Sequence, residues 1–144
     1  MCSNEALKRC VSNAIQKERK RVHDERKSHP TKKHDIHDYA SIVVACGYSR
    51  SGKTFSGASA SPLYHKYAEE IRRRLEKLGK IGAKRLGCEN VIGACAEPHA
   101  VDKVLKNFPG CKMNELQFSA AYRPRTGQRK MYCRNCKDTF HEVL

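Results

Sequence analysis

The sequence predicts an α/β or α+β sandwich in which a small mixed sheet is flanked by helices. Apolar residues recur at helical spacing in three segments, and a β-branched apolar run is followed by turn residues and a second short strand pattern. The chain has 144 residues and a net charge of +14. This length suits one compact domain of roughly 100–150 residues. No apolar run approaches the roughly 20 residues of a membrane span.

The first 40 residues are predicted to form a basic helix followed by a linker. Residues 5–27 contain no Gly or Pro, and their first half places apolar residues three or four positions apart. Their second half is polar all round and is expected to project into solvent. The polar segment 28–38 contains Pro30 and is typical of a linker. The N-terminus lacks the apolar core of a secretory signal, so the chain itself carries no export instruction and leaves its compartment open.

Residues 41–60 predict a β-hairpin. The segment 41–48 is apolar and β-branched, 49–53 has turn chemistry, and 54–60 alternates small and polar side chains. A helix is expected to begin at Ser61-Pro62 and to end at the glycines near position 80.

Three further elements complete the predicted sandwich. CAEPHAVDKVLKNF, residues 95–108, has a helical apolar stripe, and residues 115–122 alternate as a strand. A basic loop, RPRTGQRK, then leads to a short C-terminal helix.

A phosphate-loop pattern overlaps the predicted hairpin. Residues 47–54 match G-x-x-x-x-G-K-[ST] letter for letter. The phosphate-loop mechanism needs a helix N-terminus at Lys53-Thr54, whereas the following FSGASASP is a poor helix and a plausible strand. We therefore interpret the match as a hairpin turn, with a nucleotidase dependent on Lys53 and Mg²⁺ as an alternative.

The cysteines carry the strongest functional signal. Of eight, only Cys133 and Cys136 have metal-ligand spacing, and the absence of a secretory signal or framework spacing favours thiols over disulfides. Cys95 lies 38 residues upstream of Cys133. Both clusters open predicted helices, whose N-termini stabilise thiolates. Three such thiolates could hold one Zn²⁺ and leave a position for water, whose proton Glu97 could take and pass on.

A structural zinc site is the alternative for these cysteines. Cys88, Cys111 or His99 would then supply a fourth ligand. Such a site needs no acid beside it, so the position of Glu97 favours catalysis.

The pattern C-x-E followed by C-x-x-C is the signature of the zinc nucleobase deaminases. Within that superfamily, residues 41–144 resemble the deaminase domains of bacterial polymorphic toxins, particularly the YwqJ-like group. The resembling segments are the hairpin closing on SGASAS, the predicted helix from Pro62, then CAEPHAVDKVL, AYRPRTG and CRNCKDTF. The resemblance implies a deaminase-like three-layer sandwich, zinc held by Cys95, Cys133 and Cys136, and Glu97 as proton shuttle. The implied reaction is hydrolytic deamination of a nucleobase, and cytosine is the base that the resemblance favours.

The resemblance also implies a biological setting and shows two departures. A toxin domain is exported within a larger protein, acts inside a target cell and has an immunity partner. Tyr132 stands where many deaminases have Pro, and only eight residues follow Cys136. We therefore expect a reduced version of the fold.

Candidate substrate contacts come from three places. Ser56 and Ser59, at the hairpin-to-helix junction, could hydrogen-bond an extruded base, although turn roles also explain them. His99 lies on the first helical turn after Glu97, where a packed or solvent-facing ring is the alternative. The basic loop interleaves aromatics with Arg, which can stack a base and neutralise phosphates, or simply face solvent. Its candidates are Tyr122, Arg123, Arg125 and Tyr132.

The basic excess is spread along the whole chain and favours a polyanionic partner through counterion release. We expect a nucleic acid or nucleotide substrate and no membrane. DNA, RNA and free nucleoside all stay open as substrates, as do cytosine and adenine as bases. A non-catalytic, zinc-stabilised nucleic-acid-binding module is the alternative function.

Overall fold

The computed structural model describes residues 3–144, so Cys2, one of the predicted thiols, lies outside the described residues. The α-helices are Asn4–Ser28 (α1), Glu69–Glu76 (α2), Ala96–Asn107 (α3) and Arg134–Thr139 (α4). The strands are Val43–Tyr48 (β1), Thr54–Ala58 (β2), Leu116–Phe118 (β3), Ala121–Tyr122 (β4) and Arg129–Lys130 (β5). Across residues 3–144, no helix combines the length and apolarity needed to cross a membrane.

The α+β class is confirmed, and the sheet has the order β2–β1–β4–β5 with β3 also beside β1. Every strand pair described is antiparallel, so the expected mixed sheet is instead an antiparallel one. β5 lies within the segment that the sequence predicted as a basic loop. Its two charged residues give no apolar signal, and it forms only by pairing with β4.

Helices cover both faces of the sheet. Val43 and Ala45 of β1 pack against Leu7 and Val11 of α1. The alternate β1 residues, such as Val44, face the main core, which contains apolar residues of α2 and α3 together with Phe140 at the end of α4. This alternation gives three layers: α1, the sheet, and the remaining helices.

The second half of α1 is exposed over most of its surface but contacts the rest of the protein along one side, and the segment after it is held by hydrogen bonds to α1. Val22 is only 1% exposed. The Arg21 guanidinium donates to the Asp38 carbonyl at 2.7 Å, and the Ala40 N–H donates to the Glu18 carboxylate at 2.5 Å. Charged side chains make these contacts, and for this reason an apolar periodicity did not predict them.

The helix expected from Ser61-Pro62 begins only at Glu69. A 3₁₀ turn, Tyr64–Lys66, precedes it, and Tyr64 has a φ of +54° that interrupts any helix starting earlier. The Ala68 N–H at the start of α2 donates to the Asp102 carboxylate at 2.7 Å, so a side chain of α3 caps α2.

The predicted hairpin is confirmed: β1 and β2 pair, with Gly47 opposite Thr54. Gly52 has a φ of +73° in the intervening turn. Lys53-Thr54 leads into a strand, so this segment lacks the helix N-terminus that a phosphate loop requires.

A one-residue bulge interrupts the strand predicted at 115–122. Cys46 lies opposite Phe118 and Val43 opposite Tyr122, so three steps along β1 face four along β3–β4. Within the bulge, the Ser119 N–H donates to the Ala45 carbonyl and the Ala45 N–H donates to Ser119 Oγ, both at 2.9 Å.

The bulge reverses the alternation of side chains beyond it. Ala121, rather than Ala120, joins the main core, and Tyr122 packs on the α1 side of the sheet.

Gly57 lets α3 lie directly on β2. A Cβ at this position would be 2.4 Å from both Ala100 N and Ala96 O, which are backbone atoms of α3. The requirement is for space, since the φ of Gly57 is not in the left-handed region. The absent side chain therefore fixes the height of the first turns of α3 above the sheet.

We expect Gly57→Ala to lower the free energy of unfolding by about 1–3 kcal/mol, because two backbone segments must separate to admit the methyl group. Gly110→Ala is the matched control, since a Cβ there meets nothing within 4 Å. Its stability should stay within about 0.5 kcal/mol of the wild type. Urea unfolding followed by circular dichroism measures both, and equal stabilities for the two variants would contradict the packing described.

Candidate metal centre

Cysteines at two helix starts form one cluster. Cys95 and Cys133 are the N-cap residues of α3 and α4, and Cys136 lies in the first turn of α4. The three Sγ atoms all lie within 4.8 Å of one another, and those of Cys95 and Cys133 are 3.3 Å apart. Thiolates around a tetrahedral zinc ion are separated by about 3.8 Å. The predicted ligand set is brought together, and it can hold a metal ion.

The loop before α3 supports α4 through polar contacts. Asn135 is 2% exposed, accepts a hydrogen bond from Arg85 Nε at 2.7 Å and donates to the Asn90 carbonyl at 2.9 Å. The Asn90 side chain in turn hydrogen-bonds Cys133. Arg85, Asn90 and Asn135 thus surround the thiols with a hydrogen-bonded polar layer. No motif in the sequence predicts this layer, because the three residues have no characteristic spacing.

The hydrogen bonds within the cluster shift the pKa values of its three thiols in opposite directions. Hydrogen bonds from Cys136 and Cys95 hold the pKa of Cys133 well below its usual range. The hydrogen bonds to Cys133 raise the pKa values of Cys95 and Cys136, and burial adds to the effect. Cys133 is therefore the thiol of the cluster that ionises most readily.

Glu97 places a carboxyl group against this cluster. It is 3% exposed, and the Cys136 thiol donates to its Oε1 at 3.3 Å. Burial raises the pKa of Glu97 above its usual value. A carboxyl group that retains a proton nearer neutrality can accept and return protons during a reaction.

None of the alternative fourth ligands joins the cluster. Within residues 3–144, the group that could hold a metal consists of the three cysteines alone, without Cys88 or Cys111. The two ring nitrogens of His99 lie 2.8 Å from the Cys95 carbonyl and 3.1 Å from the Ser61 carbonyl, so the ring joins the start of α3 to the segment that follows β2.

An open cleft of about 770 Å³ leads to the cluster. Cys95, Cys133 and Glu97 line it, and Cys136 lies behind them, 1% exposed. Other lining residues come from both sides of the sheet edge and include Tyr39, Ser59, Glu89, Asn90, Arg123, Lys130 and Met131. Two of the clustered cysteines, the buried Glu97 and charged side chains of both signs thus share one cavity.

Two of the predicted substrate contacts, Ser59 and Arg123, line this cleft. Ser59 Oγ also accepts a hydrogen bond from the Ile42 N–H at 3.0 Å. Ser56 instead lines a groove beside α1, and Tyr122 packs on the α1 face. The alternation of β2 puts Ser56 on that face, and the bulge puts Tyr122 there.

The remaining predicted contacts do not line the cleft. His99 contacts the Ser61 carbonyl in the segment after β2, and Arg125 is exposed in the β4–β5 turn. Burial raises the pKa of Tyr132 to about 12, and its hydroxyl donates to the Ser119 carbonyl at 2.5 Å. Tyr132 therefore stabilises the bulge through this hydrogen bond. Tyr39 was missed, because no local pattern places it near the cysteines.

No protein-family model, curated protein or solved structure matches this chain.

We expect the protein to bind about one zinc ion per chain, and Cys95→Ser, Cys133→Ser and Cys136→Ser each to abolish binding, because a three-thiolate site loses a ligand. Metal content by plasma mass spectrometry after gel filtration measures this. Cys88→Ser is the control, since this cysteine lies outside the cluster, and it should retain the metal. Zinc loss in Cys88→Ser equal to that in Cys136→Ser would contradict the three-cysteine assignment.

Zinc binding should release protons at pH 7, because the raised pKa values of Cys95 and Cys136 favour their thiol forms before the metal binds. Affinity should therefore rise with pH. Calorimetry in buffers of different ionisation enthalpy counts the protons directly. A count near zero would mean that the cluster is fully ionised before the metal arrives.

Proposed function

We propose that the protein is a zinc-dependent hydrolytic deaminase that converts cytosine to uracil in nucleic acid. The observation that carries this proposal is the buried Glu97 carboxyl beside three clustered cysteines, on the wall of an open cleft. The three thiols of the cysteine cluster match the donor set of a catalytic zinc site, which leaves one coordination position open.

Cys95, Cys133 and Cys136 would hold the zinc ion. When bound, zinc supplies Lewis-acid chemistry that lowers the pKa of water toward about 7. The reaction also requires protons to be transferred from water to the base. The raised pKa of Glu97 suits this role, because such a carboxyl group can both accept and return a proton.

Glu97 would move two protons in sequence. Its carboxylate takes a proton from the attacking water as the oxygen bonds to C4 of cytosine, and it delivers that proton to N3. It then takes the second proton of the added hydroxyl group and gives it to the exocyclic amine. The C4–N bond breaks, ammonia leaves, and C4 retains a carbonyl oxygen, so the atoms balance as cytosine plus water to uracil plus ammonia.

The environment of Glu97 favours this interpretation over a purely structural zinc module. Burying a carboxyl beside thiolates costs free energy through desolvation and like-charge repulsion. A structural site gains nothing from that cost, whereas a deaminase requires the group. A protein that binds zinc and nucleic acid yet releases no ammonia would be the binding module instead.

Two basic side chains in the lining of the cleft support a phosphate-bearing substrate. Arg123 and Lys130 face the same cavity as Glu97, and the chain carries a net charge of +14. The resemblance to polymorphic-toxin deaminases supports a further proposal, that the activity is that of a toxin with an immunity partner.

We expect Glu97→Gln to keep one zinc ion and to lower the deamination rate by roughly 10²–10⁴-fold, because the amide cannot shuttle protons. The zinc-loaded protein is incubated with cytosine-containing single-stranded DNA, duplex DNA, RNA and free cytidine, and uracil formation is measured.

Glu76→Gln, an exposed acid on α2, is the matched control and should retain full activity. An active Glu97→Gln protein would exclude this mechanism. A zinc-loaded wild type inactive on all four substrates would exclude cytosine deamination.

A further inference from the structure

The segment after α1 forms part of the lining of the cleft and contributes an aromatic residue to it. Tyr39 lines the cleft, and the Arg26 Cζ lies 5.2 Å from its ring centroid. Arg26 is itself fixed, since its guanidinium donates to the Asp38 carboxylate at 3.1 Å and to the Asp35 carbonyl at 3.0 Å. One side of the tyrosine ring is thus supported by a held cation.

The backbone on both sides of Tyr39 is also anchored to α1. Arg21 donates to the carbonyl of Asp38, and Glu18 accepts from the N–H of Ala40. These contacts lie directly before and after Tyr39. The ring is therefore presented to the cleft in a fixed position, which lowers the entropic cost of stacking on it.

Two basic side chains also line the cleft. Arg123 follows directly after β4, and Lys130 lies in β5. They line the cleft together with Glu89. A phosphate oxygen is the acceptor that fits the charge of the arginine and the lysine.

We propose that the cleft binds single-stranded nucleic acid, with the base next to the target stacked on Tyr39 and an adjacent phosphate held by Arg123 and Lys130. This inference rests on the proposed function for its choice of target base. An aromatic platform combined with a basic groove is how proteins hold single strands without reading each base. The base on Tyr39 must be unpaired, so a duplex is disfavoured and a free nucleoside makes neither contact.

The test measures binding of a labelled oligonucleotide with one cytosine to zinc-loaded Glu97→Gln protein, which prevents turnover. DNA and RNA versions are used, each intact or with an abasic site on one side of the cytosine. Adding Tyr39→Leu should weaken binding of the intact strand by roughly tenfold or more. An abasic site at one of the two positions should lower the affinity of the Glu97→Gln protein by a similar factor. The same abasic site should not change the affinity of the protein that also carries Tyr39→Leu. The protein with Tyr39→Phe should bind every strand as the Glu97→Gln protein does.

Two further variants sharpen the experiment. Tyr64→Leu removes an exposed tyrosine that does not line the cleft, and should leave affinity unchanged. Arg123→Gln should weaken intact and abasic strands equally and reduce the salt slope of binding by about one. Melting curves establish that each variant is folded.

The outcomes separate this inference from the proposed function. An abasic effect in the Tyr39→Leu variant as large as that in the parent overturns the stacking role. Deamination of cytidine without binding of either strand overturns the inference and leaves the deaminase intact. Tyr39-dependent strand binding by a wild type that deaminates nothing supports the inference and overturns the proposed function.

Discussion

The backbone contact between Gly57 and α3 determines where the metal centre can lie. Because no side chain separates the strand from the helix, the first turns of α3 lie against β2, and these turns carry both Cys95 and Glu97. The same helix organises its surroundings, since Asp102 caps α2 through the Ala68 N–H. A thiol ligand and a buried acid thus derive their positions from one close approach, and any shift of α3 moves both together.

The bulge in β3–β4 makes the opposite wall of the cleft. An uninterrupted strand would have pointed Tyr122 into the cleft and Arg123 away from it, because side chains alternate along a strand. The extra residue at Ser119 exchanges these directions. Tyr132, which directly precedes Cys133, donates to the Ser119 carbonyl and so connects the bulge to the second ligand segment. The bulge therefore directs the Arg123 side chain toward the cleft.

The features predicted from sequence are those whose signals are local. The spacing of Cys133 and Cys136, together with Glu97 two residues after Cys95, was sufficient to predict that the three thiols and the carboxyl group lie together. The hairpin and α3 followed from periodicity and turn residues in the same way. Tyr122 was misplaced because alternation cannot reveal a bulge that depends on a partner strand. Tyr39 was missed because charged side chains of α1, more than ten residues away along the chain, bring it to the cleft.

Metal binding and cleft shape are connected through α4. This helix has six residues, too few to be stable alone, and its position depends on packing of Phe140 and on contacts such as Arg85 to Asn135. An ion held by Cys95, Cys133 and Cys136 would join α3 to α4, so its binding free energy adds to folding. Asn90 contacts Cys133 and also lines the cleft. Loading the thiols would therefore also fix the position of this wall of the cleft. Under the proposed function, removing the metal would then weaken substrate binding even where the substrate does not contact the metal.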